Sequence, residues 1–289
     1  MLAKRVLIGV NFLILIGLLV ISFFSTKPSQ LFPRTQVNVS RQYPTEITPS
    51  DATFAIWGVI YALQAAWTLY SLTLNVRKSF GDILPPKFFS YFILSSACNA
   101  LWLFAWAREQ FGLSLALIFG IALTLVLSLI NAADGLYQYL KKMESKGGKP
   151  NLVDVWCTRI LIQNGILFYA TWVSIATCIN LTIYLEYNIG MDGSKAATAS
   201  LAIILSVAIL WFILENFVYQ EYTRYVLAEY IVLIIALSGV LKAHWSGGQG
   251  NQAFDLALLI VSALLLIARI ALIVVQELNR KRRRVSDVM

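Results

Sequence analysis

The sequence predicts an all-α integral membrane protein with about eight transmembrane helices, and three observations lead there. Only 13% of its 289 residues are charged, while 58% are hydrophobic. Soluble domains carry about a quarter charged residues, so this chain lacks the polar surface to coat a globule in water. Eight apolar segments of bilayer-crossing length follow one another along it. Lys and Arg are divided unequally between alternate loops, fifteen against six, the asymmetry that orients helical membrane proteins.

Residues 1–24 hold the first helix. Its apolar run 6–24 follows Lys4 and Arg5, is longer than a signal-peptide core and has no small-residue cleavage site, so it reads as a retained span. Residues 25–52 are polar and contain four prolines. That length exceeds an ordinary connection, which makes the segment a functional lid or a plain linker. It also carries the sequon Asn38-Val-Ser40, a glycosylation site if the segment faces a secretory lumen. Further on, Thr48 to Asp51 supply a helix start, with Ser50 or Asp51 as N-cap.

Seven more apolar segments follow at approximately 53–76, 87–107, 111–139, 154–184, 196–217, 221–243 and 253–277. Turn or charged stretches separate them: Pro85-Pro86, Arg108 to Gln110, Lys141 to Pro150, Asp192-Gly193, Tyr219-Gln220, and Ser246 to Gly250. The run Arg280 to Arg284, in the basic tail 278–289, reads as a stop-transfer cluster against anionic headgroups. No repeat divides the chain, which reads as a single transmembrane domain.

With a cytoplasmic amino terminus, the inner side takes Lys4, Arg5, Arg77, Lys78, Lys87, Lys141, Lys142, Lys146, Lys149, Arg224 and the five residues of the tail. The outer side takes Lys27, Arg34, Arg41, Arg108, Lys195 and Lys242. Eight spans then leave both termini cytoplasmic and Asn38 outside. Which membrane holds the chain is left open.

Composition also narrows the chemistry. Three cysteines in apolar runs (Cys98, Cys157, Cys178) read as packing residues rather than a disulfide set. His244 is the one histidine, which removes histidine triads and multi-histidine metal sites. The net charge of +8 is concentrated in loops and argues for lipid headgroups rather than nucleic acid.

Polar groups inside a bilayer are rare and need partners. Phe54, Trp57, Tyr61, Gln64 and Thr68 fall on one helical face, which should look into protein because hydrocarbon offers Gln and Tyr nothing. Asn99, Trp102 and Trp106 recur at the same spacing in the third segment. Tyr169, Trp172, Ala176, Thr177 and Asn180 do so in the fifth. At about 1.5 Å per residue, Trp57 and Trp102 lie roughly 6 Å inside the outer boundary and Trp172 somewhat deeper. An interfacial belt accounts for Trp106, Trp156, Trp211 and Trp245. It fits Trp172 and the adjacent asparagines poorly, whereas an aromatic-lined pocket with a few convergent polar groups is the usual form of a small-molecule site. The last three segments contain Glu215, Glu229 and Arg269, of which Glu229 and Arg269 are expected to form an ion pair.

These segments resemble the translocator-protein family (TspO/MBR), and in particular its longer branch of tryptophan-rich sensory proteins. The second helix shows that family's Phe-x-x-Trp-x-x-x-Tyr as Phe54, Trp57 and Tyr61. The third shows Asn-x-x-Trp as Asn99 and Trp102, and the fifth shows Tyr-x-x-Trp-x-x-x-Ala-Thr-x-x-Asn from Tyr169 to Asn180. The similarity covers roughly residues 30–185, while the last three helices fit only by length and hydrophobicity. Two departures stand out: Phe168 occupies a position where the family has Pro, and the Pro-rich approach to the second helix is reduced to Pro49.

The resemblance implies a TspO-like five-helix bundle, completed by helices two to five in 53–185, plus three added helices in 196–277. Its pocket would take a tetrapyrrole, a sterol or a drug-like aromatic beneath a lid made of residues 25–52. The implied ligand-binding residues are Phe54, Trp57, Tyr61, Asn99, Trp102, Tyr169, Trp172, Ala176 and Asn180. Porphyrin photochemistry attributed to some members would point to Trp57 and Trp172. With no acid–base pair or metal cluster in the sequence, a receptor or sensor of a hydrophobic small molecule is expected rather than an enzyme. The alternative is a transporter of a small solute or proton acting through Glu215, Glu229 and Arg269. Small residues Ala100, Gly112, Ser114 and Gly120 offer close helix packing, within the chain or in a homo-oligomer.

Overall fold

A computed structural model describes residues 2–74 and 83–286. Arg77 and Lys78, counted above toward orientation, lie outside the described residues. Among those residues the fold is helical throughout, with seven helices long and apolar enough to cross a membrane. Helix α1 (Leu2–Phe24) turns Ile8, Asn11, Leu15 and Leu18 inward, at the spacing of a single stripe, and leaves the rest of its surface outward. It packs on α4 (Pro86–Ala107) and α3 (Ile56–Thr73).

A short helix α2 (Gln36–Gln42) lies within the predicted lid, capped by the Thr35 side chain on the Asn38 amide at 3.2 Å. The 3₁₀ turn Asp51–Ala55 leads into α3. The expected cap there is absent: Ser50 makes no side-chain cap bond, since its hydroxyl pairs with Thr53 Oγ1 at 3.0 Å, and Asp51 is engaged by Arg41.

Helix α5 (Phe111–Ser145) packs along α4 and extends six residues past its predicted end. Gly135 makes part of this possible, because a Cβ there would stand 2.1 Å from the Ile83 carbonyl oxygen. Gly120 lies against Cys98 and Gly112 against Tyr184, so these small residues serve packing within the chain. Next come α6 (Leu152–Cys157), a π-helical turn Thr158–Gln163, and α7 (Asn164–Ile183), continued by a second π turn Tyr184–Asn188. Helix α7 is central, touching α3 and α5 on one side and α8 (Gly193–Ile213) and α10 (Ala228–His244) on the other. The last helix, α11 (Asn251–Ser286), packs on α8 and α10.

The predicted segment 221–243 departs most from expectation. It folds as a four-residue helix α9 (Gln220–Thr223), an irregular stretch, and the 17-residue α10. Exposed backbone groups inside a bilayer must be bonded by other parts of the protein, and here side chains do so. Gln163 donates to the Tyr222 carbonyl at 3.4 Å. Asn164 donates to the Tyr225 carbonyl and accepts from the Leu227 amide, both at 2.9 Å. Arg269 Nη2 donates to the Thr223 carbonyl at 2.7 Å.

The ion pair expected between Glu229 and Arg269 is made by a different carboxylate. Arg269 Nε lies 3.3 Å from Glu215 Oε1, and Arg269 Nη1 donates to Asn216 Oδ1 at 2.7 Å. A third π turn, Leu214–Val218, brings both partners inward. There the Tyr219 amide bonds back five residues to Leu214, and the extra residue in the turn rotates Glu215 and Asn216 toward α11. Tyr230 donates to Glu215 as well.

Candidate functional site

The lid is tied down along its whole length. Phe32 stacks on Phe104 with centroids 4.8 Å apart, and the lid's own Val39 and Ile47 are buried. Arg34 pairs with Glu109, which also accepts from the Tyr43 hydroxyl at 2.9 Å. Glu109 sits in the α4–α5 turn with φ +59°, a left-handed conformation that costs a non-glycine residue roughly 1–2 kcal/mol. That strain is held where the carboxylate meets the lid. On the far side, Tyr187 donates to the Pro44 carbonyl at 2.7 Å. Asn251 donates to Glu46 at 2.7 Å, and His244 Nε2 lies 2.8 Å from the Thr48 carbonyl. The adjoining ends of α7, α10 and α11 thus clamp the second half of the lid. Asn38 is exposed on α2. Arg41 pairs with Asp51, which raises the guanidinium pKa above its ordinary value.

Beneath the lid the three predicted helices bring their aromatic rings together. Trp57 stacks on Trp102 at 5.7 Å and on Tyr61 at 5.8 Å. It also meets Tyr169 edge-on at 6.1 Å and Trp172 at 6.3 Å. Phe54 approaches Trp172 at 6.5 Å. Such contacts add about 0.5–1.5 kcal/mol each beyond burial, enough together to fix Trp57 in one orientation. Trp102 Nε1 donates to Asn180 Oδ1 at 3.4 Å, and Asn99 donates to the Tyr169 hydroxyl. Farther from the lid, Gln64 bonds the Gly165 carbonyl at 3.1 Å and accepts from Trp67 Nε1 at 2.6 Å.

A hollow of about 20 Å³ remains between the rings, room for about one water molecule. Phe54, Trp57, Trp102, Trp172, Ala176 and Asn180 line it, while Tyr61, Asn99 and Tyr169 support these from the side away from the lid. Three polar atoms at this cluster are buried without a hydrogen-bond partner, Trp172 Nε1, Asn99 Oδ1 and the Tyr61 hydroxyl.

Four lining residues were not predicted, among them Ile179, one residue before Asn180 on α7. Gln36 and Ser40 come from the lid, where nothing in the sequence marks an inward-facing position. Trp106, assigned above to an interfacial belt, is buried, stacks on Trp102 at 5.7 Å and donates to the Gln36 carbonyl at 3.4 Å. Its four-residue spacing from Trp102 was the signal that should have outweighed its position near a helix end. A larger cavity lies elsewhere, on the opposite face of α7, and is taken up below. No group of three or more His, Cys, Asp or Glu able to hold a metal occurs among the described residues.

Seven long apolar helices among the described residues, three of which enclose a lidded aromatic cluster, define a polytopic helical membrane protein with a general small-molecule-binding character. The chain belongs to the TSPO-like protein family, whose sequence profile matches residues 7–276. That match extends beyond the 30–185 region of resemblance and includes α8, α10 and most of α11. No curated protein and no solved structure matches the chain.

Proposed function

We propose that the chain is a membrane-embedded receptor or sensor that binds a hydrophobic planar molecule, a porphyrin or a sterol, among Trp57, Trp102 and Trp172. The observation that carries this reading is the convergence of rings from α3, α4 and α7 on Trp57, under a lid latched by ion pairs and hydrogen bonds. Trp172 Nε1 and Asn99 Oδ1 supply an unused donor and acceptor beside an otherwise apolar site, the combination that orients a ligand. The hollow is too small for such a molecule with the lid latched, so binding requires α2 to lift and the indoles to part. The Arg34–Glu109–Tyr43 latch is the point of release.

The alternative, transport through Glu215, Glu229 and Arg269, has less support. Arg269 is held by Glu215, Asn216 and the Thr223 carbonyl, which favours a structural guanidinium over a relay. The bundle beyond the aromatic cluster is also packed by Trp67, Phe88, Phe92 and Ile166. The fifteen-to-six distribution of positive charge favours cytoplasmic termini.

The test is quenching of intrinsic tryptophan fluorescence by protoporphyrin, or its recovery on competition with a sterol. The parent is expected to give saturable quenching, and Trp57→Ala and Trp172→Ala to weaken it at least tenfold. Variants that bind as tightly as the parent would remove the site.

A further inference from the structure

A second cavity, about 240 Å³, lies between α5, α7, α8 and α10, close to the lower end of ordinary ligand pockets at about 300 Å³. On α7 it is lined by Ala170, Ser174 and Cys178, the helix face opposite Trp172 and Ala176. It is therefore separate from the aromatic hollow, with the α7 backbone between them. Its mouth is formed by Phe119, Ile203 and Val207, all exposed on the outer surface of the bundle, so it opens toward acyl chains rather than water.

One feature of its wall is out of keeping with a lipid crevice. Glu229 reaches it with only 4% of its surface exposed, and neither carboxylate oxygen has a hydrogen-bond partner. An ionised carboxylate only accepts hydrogen bonds, so both oxygens call for a donor. No donor bonds either oxygen, although Trp211 Nε1 stands unpartnered at the same cavity. Arg269 is committed to Glu215, Asn216 and the Thr223 carbonyl, and the Tyr230 hydroxyl is given to Glu215. The Ser174 and Thr177 hydroxyls on the cavity wall are spent on the Ala170 and Val173 carbonyls at 2.8 and 2.7 Å. Two carboxyl groups, Glu215 and Glu229, thus lie beside one guanidinium, and Glu229 is the one that faces the cavity. Trp211 Nε1, also at the cavity and also unpartnered, is a donor and adds a flat apolar wall.

We propose that this cavity is a binding site for a hydrophobic amine, entered from the bilayer between α5 and α8, with the ligand's ammonium group on the Glu229 carboxylate and its apolar body against Leu167, Ala170 and Ala208. The ammonium supplies the missing donors and balances the charge of the cluster. A burial this deep makes the pairing strong only when both charges are desolvated together, which selects for cations carried on an apolar frame. The site is independent of the aromatic hollow, and ligands of the two sites need not compete.

The experiment uses the full chain in detergent micelles, with a dansyl-labelled alkylamine as probe and the dansyl-labelled neutral alcohol of the same skeleton as control. Blue-shifted dansyl emission reports binding. The parent is expected to bind the amine at least about tenfold more tightly than the alcohol, the smallest effect of a desolvated charge-assisted hydrogen bond. Glu229→Gln should remove that preference. Ile203→Trp, at the exposed mouth where the fold has room for it, should weaken both probes. Trp172→Ala should leave amine binding unchanged, which separates this result from any failure of the aromatic site. Equal binding of amine and alcohol by the parent would make the cavity an acyl-chain crevice and overturn the proposal. So would an unaltered preference in Glu229→Gln, or unaltered amine binding in Ile203→Trp should the glutamine variant fail to fold.

Discussion

Replacing Arg269 by Met tests whether the buried charges hold the α9–α10 break together. Arg269 is fully buried and engages three groups: Glu215 at 3.3 Å, and Asn216 and the Thr223 carbonyl at 2.7 Å each. Methionine keeps much of the length and apolar body but leaves Glu215 buried without its counter-charge. Removing one partner of such a pair costs about 3–5 kcal/mol. The Thr223 carbonyl still accepts from the Val226 amide at 2.9 Å, so losing its bond from Arg269 adds about 1 kcal/mol. The double variant Arg269→Met/Glu215→Leu removes the orphaned carboxylate and should recover the first cost while retaining the second. Unfolding in mixed micelles, followed by tryptophan fluorescence, should therefore rank the parent above the double variant and the double variant above the single one. An Arg269→Met protein within about 0.5 kcal/mol of the parent would refute the assignment of Arg269 to the break.

Three further outcomes are expected. Asn164→Ala loses hydrogen bonds to Tyr225, Leu227 and the Arg159 carbonyl, and at about 1 kcal/mol or more for each buried group left unpaired it should lower the unfolding midpoint more than Asn131→Ala, whose side chain bonds only its own helix. Gly135→Ala places a methyl against the Ile83 carbonyl, where backbone must move; a loss of about 1–3 kcal/mol is expected by the same assay, whereas Gly58→Ala, with open space around it, should be neutral. Glu109→Ala frees the lid's Arg34 and Tyr43 from the α4–α5 turn, so protoporphyrin should associate faster in stopped-flow quenching; an unchanged rate would show that the lid opens elsewhere.

Much of this fold could be read from the sequence because bilayer solvation demands it. Runs of some twenty apolar residues have few alternatives to a spanning helix, and the helices at 86–107 and 193–218 fall close to their expected places. The face holding Trp57, Gln64 and Thr68 turns inward because lipid would leave its polar atoms unbonded. The 221–243 segment misled for a matching reason. Its hydropathy carries no trace of the break, since the groups that permit it, Gln163, Asn164 and Arg269, lie 46 or more residues away in the chain. Glu215 likewise escaped pairing with Arg269 in the sequence reading, because a π turn shifts its phase relative to a regular helix. Trp106 and Trp211 were read as belt residues from depth alone, but depth does not tell which side of a helix a ring occupies. The second cavity had no sequence signature beyond Glu229 and Trp211, which approach each other only because α8 and α10 both pack on α7 and α11.

The central claim is that a planar apolar ligand sits among Trp57, Trp102 and Trp172 beneath the lid. Photo-cross-linking with a diazirine-bearing sterol, followed by mass spectrometry of the labelled peptides, tests it most directly. Adducts are predicted on the lid-proximal turns of α3, α4 and α7, around Phe54, Trp102 and Ala176, and should be lost on competition with excess unlabelled sterol. Adducts confined to the outward-facing residues of the bundle, or to the wall around Ala208 and Trp211, would contradict it.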